Sequence, residues 1–216
     1  MSIIYHEQAK QFHLYNQSMS YIIQIMANGQ MGNLYYGKRI TDRESYAYLL
    51  ETGERAHAAI SCPEPVSLCL QYTKQEYPAY GTGDYRYGAC IVRQENGSRI
   101  TNFTYVSHRI FEGKHSIEPL PATYVEEERE AATLEITLHD DVMDTDLILS
   151  YTIYEEMPVL TRHARFDHHG KEEIVLLTAM SGAVDLPDCD YEMIQLSGAW
   201  SRERYLKRRS LEQGIQ

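Results

Sequence analysis

The sequence predicts an all-β fold in which two antiparallel sheets pack face to face as a sandwich. Three observations carry this. Seven separate runs follow a two-residue rather than a 3.6-residue period and are rich in β-branched and aromatic residues. Turn-forming pairs lie between them, and only one short stretch has a helical composition. Strands at roughly ten-residue spacing, joined mostly by hairpins, make packed antiparallel sheets.

Taken in order, Ser20–Met26 (SYIIQIM) is the first strand, and Asn28-Gly29 after it has the composition of a tight hairpin turn. Ser67–Thr73 (SLCLQYT) reads as the next strand, with Cys69 facing opposite to Val66, Leu68 and Leu70. Ala89–Gln94 follows, then a second hairpin-type pair, Asn96-Gly97. Glu126–Ala132 is the single helix candidate. Thr133–Leu138, Leu147–Tyr154 and Val159–Phe166 form a run of three strands, and His169-Gly170 turns the chain into the last, Glu173–Met180. No composition shift divides the 216 residues, so they read as one domain.

The bulk numbers exclude several classes. A formal charge of −11 argues against nucleic acid, whose phosphates demand a basic surface. No apolar run approaches the ~18 residues that span a bilayer. The first residues, MSIIYHEQAKQFH, lack a basic leader followed by an apolar stretch, and Cys62, Cys69, Cys90 and Cys189 lack C-x-x-C spacing. A cytoplasmic protein with reduced thiols and no metal or other cofactor is expected. His168-His169 fits a turn tip beside Gly170 better than a metal site. Charge is uneven: nine acids lie between Glu126 and Asp146, while Arg202, Arg204, Lys207, Arg208 and Arg209 crowd eight positions.

Two segments stand out. Glu76–Arg86 reads EYPAYGTGDYR, a rigid loop in which Pro78 forces an extended residue before it and the glycines permit turns. Leu196–Gln216 holds the lone tryptophan, Trp200, and the basic cluster. By itself that tail reads as a basic surface strand. Together with LYYGKRI (Leu34–Ile40) and LPATYVEE (Leu120–Glu127), however, these segments resemble, in order and spacing, the N-terminal region of the bacterial α-galactosidases of glycoside hydrolase family 36. The resemblance implies a β-supersandwich like that of galactose mutarotase. It also implies that residues 1–216 are the front part of a larger protein, with a catalytic (β/α)8 barrel after residue 216.

The parent activity implied is retaining hydrolysis of terminal α-linked galactose. Such chemistry needs two carboxyl groups about 5–5.5 Å apart. The family carries its nucleophile in a Lys-Trp-Asp motif within the barrel; here Ser201 follows the only Trp, and a barrel needs roughly 250 residues of its own. No catalytic residue is therefore assigned, and the chain alone is expected to be inactive. The family forms oligomers, often tetramers, in which loops of one N-terminal domain reach a neighbour's sugar pocket. That implies substrate contacts in trans from Trp200 of the Gly-Ala-Trp motif and from Glu51, Glu54 and Arg55. Interface residues are expected at Tyr77, Tyr80, Asp84, Tyr85 and Arg86 of the loop and at Arg202 and Arg204.

Two rival functions remain at this level. Eighteen tyrosines against four phenylalanines suit sugar stacking, so a stand-alone carbohydrate-binding module is one. A mutarotase-like epimerase using His163 or His108 is the other, although neither is spaced to a carboxylate partner.

Overall fold

The computed structural model describes residues 2–51, 68–81, 84, 86–187 and 189–211. It is nearly all β and divides into two compact units, residues 1–184 and residues 185–216.

In the first unit, β1 (Ser2–His6), β2 (Gln11–Tyr15), β3 (Met19–Ile25) and β4 (Met31–Lys38) form one antiparallel sheet in chain order. After β5 (Cys90–Arg93), β6 (Thr104–Glu112), β7 (Ala131–Asp140), β8 (Thr145–Tyr154) and β9 (Leu160–His168) form a second meander. β10 (Val175–Ala179) returns to pair with β5. Alternation explains the layering. Phe12, Leu14, Tyr21 and Ile23 of the first sheet share one core with Leu134, Ile136, Leu147, Leu149, Tyr151 and Ile153 of the second. Those residues sit two apart on their strands, which places each set on one face of its sheet. β5 adds Cys90 and Val92.

The outer face of the first sheet is covered as well. The segment after β4 lays the fully buried Tyr46, with Ile40, Leu49 and Leu50 beside it, over Ile22 and Leu34. That makes β2 and β3 buried on both faces, which blurs their alternation in sequence.

Six of the seven expected runs contain observed strands. The exception is Ser67–Thr73. Residues 68–73 turn instead, with the Tyr72 and Thr73 amides donating to the Cys69 carbonyl. Leu68, Cys69 and Leu70 are all buried, and Leu68 and Leu70 pack with Met26. A short buried apolar run lacks a period that separates a strand from a buried turn. The helix expected at Glu126–Ala132 shrinks to one 3-10 turn, Glu128–Glu130, before β7 begins at Ala131, because the stretch has no apolar stripe to bury. Asn28-Gly29 does close the β3–β4 hairpin, with Gly29 at φ +82°. Asn96-Gly97 makes a tight turn with Gly97 at φ +85°, but β5 pairs with β10, so no hairpin is closed there. His169-Gly170 likewise leads from β9 to a strand of a different ladder.

The second unit is a two-stranded hairpin of β11 (Glu192–Ala199) and β12 (Arg202–Ser210).

Candidate functional site

Two chain features hold the residues singled out in the sequence: the loop after residue 75 and the β11–β12 hairpin.

The loop is fixed by buried charge. The Glu76 side chain is 0% exposed and lies between the sheets. Tyr21 of β3 donates to its carboxylate at 2.8 Å, Asn33 of β4 at 2.7 Å and Tyr151 of β8 at 2.9 Å. Arg162 of β9 completes the set at 3.1 Å, and donates also to the Glu76 carbonyl and to the Ala183 carbonyl. Burial opposes the Arg162 charge, but Glu76, Tyr151 and Tyr21 together outweigh burial and raise its pKa further. Burial followed by the Glu76 charge raises the Tyr21 and Tyr151 hydroxyls well above their usual range, so both stay protonated donors. A carboxylate tied up by four donors at a buried position is a structural lock, closed to substrate.

A second set fixes the end of the loop. The Asp84 carboxylate accepts from the Arg86 amide, from Arg86 Nε and Nη2, and from Gln75 Nε2. Arg86 Nη2 donates to the Leu70 carbonyl as well. Tyr77 is buried, donating its hydroxyl to the Met180 carbonyl at 2.6 Å. The Tyr80 carbonyl accepts from the Thr101 amide and hydroxyl. Thus Tyr77 and Asp84, expected at an interface, are turned inward, while Tyr87 beyond the loop is exposed. Tyr85 lies outside the described residues.

Glu51 is exposed, just past the 3-10 turn Ala47–Leu49; Glu54 and Arg55 lie outside the described residues. The segment leading to Glu51 is pinned by a polar cluster that sequence reading did not reveal. Asp42 Oδ1 accepts from His13 Nδ1 at 2.7 Å and His6 Nε2 at 3.0 Å, and the Tyr46 hydroxyl reaches the same atom. His13 Nε2 faces Ser20 Oγ at 2.9 Å. The Ser-His-Asp connectivity mimics a hydrolase triad. Ser20 and His13 are wholly buried, however, and Ser20 Oγ already accepts from the Ile40 amide, so no substrate reaches it. Burial lowers the His13 pKa, and burial pushes the Tyr46 hydroxyl up to about 12.

The histidines considered for epimerase chemistry are divided. His108 packs on Phe12 and Tyr5 and bonds the Tyr105 hydroxyl, which makes it a core-side residue. His163 pairs across Ser150 of β8, with Glu135 one strand farther on and already held by Arg109. His168 bonds Thr145 and the Glu172 carbonyl, and His169 bonds Asp146. Among the described residues, no group of His, Cys, Asp and Glu is arranged to hold a metal.

The hairpin is the opposite of the loop: apart from the half-buried Met193 and Ser197, its residues are exposed. Trp200 is 92% exposed at its two-residue turn. Ser201 stands at φ +63° and its amide donates to Glu203. Gly198 opposes both Glu203 and Arg204 in a bulge; a Cβ there would sit 2.0 Å from the Arg202 carbonyl oxygen, so only glycine fits. Arg204 stands at φ +64°, and Arg202 and Arg204 are both exposed. The Gly-Ala-Trp sequence thus builds a bulged turn that throws the indole outward.

The model of the glycosyl hydrolase family 36 N-terminal domain matches residues 29–216. The chain is 44% identical, over all its residues, to alpha-galactosidase AgaA of Geobacillus stearothermophilus, of which it covers 30%. Its fold is similar to GH36 alpha-galactosidase AgaB of the same organism, with a TM-score of 0.91 at 44% identity over 100% of this chain and 29% of that one. The alpha-galactosidase from Lactobacillus brevis gives a TM-score of 0.94 at 37% identity, over 99% of this chain and 29% of that one. The chain therefore spans about 30% of the length of the curated relatives it matches.

Proposed function

Because the chain belongs to the glycosyl hydrolase family 36 N-terminal domain family, we propose that it is the non-catalytic front domain of an α-galactosidase. The parent would hydrolyse terminal α-galactosyl residues with retention, through a barrel outside this span. The domain would serve assembly of a homo-oligomer and shape a neighbouring subunit's sugar site. We place it in the cytoplasm, the reading its unspaced cysteines favour; among the described residues no helix is long and apolar enough to cross a membrane.

One observation carries the site reading: Trp200 is almost fully exposed on a turn whose backbone is set by Gly198 and Ser201. An indole held open has no role in this chain's core, yet suits stacking on a sugar face. Glu51, exposed, is the other described residue of the proposed contact, and Glu54 and Arg55 complete it. The test is Trp200→Ala in the longer protein. Stacking of this kind contributes about 1–2 kcal/mol, by analogy with aromatic pairs, so kcat/KM for galactosides should fall roughly tenfold with the melting temperature unchanged. Unaltered kcat/KM removes Trp200 from the site.

A stand-alone sugar-binding module is the second reading, favoured by the exposed aromatics Tyr87, Tyr124, Tyr205 and Trp200. Galactoside binding by the isolated chain, read by calorimetry, would decide for it.

A further inference from the structure

Residues 39–51 follow β4 and form no strand, yet they are held closely to the outer face of the first sheet. The Arg39 amide donates to the Ser18 carbonyl, and the Ile40 amide to Ser20 Oγ at 3.1 Å. Tyr46 packs on Ile22 and Leu34, and its amide donates to Gln11 Oε1 at 2.7 Å. Between these anchors stands Asp42. Its Oδ1 accepts from His13 Nδ1 of β2 at 2.7 Å, from His6 Nε2 of β1 at 3.0 Å and from the Tyr46 hydroxyl at 3.2 Å.

These bonds fix one another. Ser20 Oγ accepts from the Ile40 amide and turns its own hydrogen to His13 Nε2, which puts the imidazole proton on Nδ1, facing Asp42. Without the Asp42 carboxylate that buried proton loses its acceptor, a larger cost than the bond itself. The Tyr46 hydroxyl, 3.0 Å from the same nitrogen, already accepts from the Arg43 amide. Asp42 itself is 33% exposed, so it does not fill the core. Its contribution is directional. Burial of Tyr46, Leu49 and Leu50 holds the segment down but is indifferent to small slides across the sheet. Three donors converging on one oxygen are not, because hydrogen bonds weaken steeply off their axis.

What the segment presents outward is Tyr48, 66% exposed, and Glu51, which follows the half-buried Leu50. A side chain offered to a ligand from a loop contributes less when binding must also order the loop. A loop already fixed to two strands avoids that loss.

We propose that Asp42 is a positioning residue: by fixing residues 39–51 on β1 and β2, it sets where Glu51 stands when that carboxylate reaches a neighbouring subunit's sugar site. The inference rests on the reading of Glu51 as a substrate contact in trans.

The test is steady-state kinetics of the longer protein on a chromogenic α-galactoside, with the melting temperature of each variant measured alongside. Glu51→Gln is the reference for the contact itself. Asp42→Ala should raise KM by roughly tenfold, the weight of one hydrogen bond to a charged group, with kcat little changed. A merely structural role would lower the melting temperature and leave the KM of the surviving folded enzyme unaltered. Asp42→Asn keeps Oδ1 as an acceptor and should return KM toward the wild-type value. Tyr46→Phe keeps the ring packed and removes one of the three bonds; it should raise KM in the same direction, and it decides the matter if Asp42→Ala does not yield folded protein. A raised KM in Glu51→Gln beside a wild-type KM in Asp42→Ala overturns the proposal and leaves the contact in trans standing. Equal defects in Asp42→Asn and Asp42→Ala also overturn it, since the effect would then lie in the charge rather than in the bonds. A wild-type KM in Glu51→Gln removes the contact and the positioning role together.

Discussion

At the residue scale, buried polar atoms do the most specific work. Glu76 is the clearest case, since it joins β3, β4, β8 and β9 through one carboxylate. Arg162→Met would leave that carboxylate buried without its counter-charge. Breaking such a pair costs about 3–5 kcal/mol, a large part of the about 5–15 kcal/mol that holds a domain together. Urea denaturation should show a loss of that order; a loss under about 1 kcal/mol would mean the pair is energetically idle. Acid sensitivity has a residue-level origin too. Burial depresses the pKa of His13, so the unfolded chain takes up protons below about pH 6.5 that the folded chain resists, and stability falls as pH drops. Asp42 is depressed by the His13, His6 and Tyr46 hydrogen bonds against the opposing effect of burial, and adds a second loss below about pH 4. His108 and His163, lowered by burial, act in the same direction as His13. His139, raised by its bond to Asp146, acts oppositely and loses its contribution as pH rises. Thermal melts between pH 7 and pH 5 should therefore slope less in His13→Gln than in wild type. Identical slopes would mean that His13 titrates normally. None of these partners was visible in the sequence: Glu76 and Arg162 are 86 positions apart, and no local spacing announces such a pair.

At the element scale, some strands were legible in the sequence and others were hidden by their surroundings. β7 alternates in its second half and was readable from period two, whereas β8 is buried on nearly every residue and was readable from its run of β-branched and aromatic side chains. β2 was not, because the strap bearing Tyr46 also buries Gln11 and His13 on the outward face and erases the alternation. The turn at residues 68–73 failed for a related reason, since Leu68, Cys69 and Leu70 are buried in succession and leave no period to read. β12 did read as a basic surface strand, and all nine of its residues are exposed, whereas β11 was not read as a strand. What the sequence did reveal there was Gly-Ala-Trp, through resemblance rather than through pattern. The structure supplies its physical meaning, since Gly198 faces the Arg202 carbonyl at a distance no side chain tolerates. Gly198→Ala should therefore disorder the turn without unfolding residues 1–184. Amide exchange across Ile194–Lys207 should rise while exchange in β7 and β8 stays slow. Unchanged protection in the hairpin would show that the bulge is dispensable.

At the scale of the whole molecule, the sheets, loop and hairpin divide the labour. Eight strands in two meanders bury a common core, Glu76 locks the two sheets together, and the hairpin carries the exposed Trp200 at its turn. In the triad-like cluster Ser20 and His13 are buried while Asp42 reaches solvent, so the Ser20 hydroxyl stays out of reach of a substrate. Far-ultraviolet circular dichroism should give a β-dominated spectrum, and a helical one would refute the fold. The claim that this domain assists catalysis without performing it is tested most directly by incubating the purified 216-residue chain with a chromogenic α-galactoside. No release of chromophore above the uncatalysed background is expected. Turnover in the ordinary enzyme range, about 1–1000 per second, that follows the chain through purification to homogeneity and disappears on substitution of a carboxylate within it, would contradict the account.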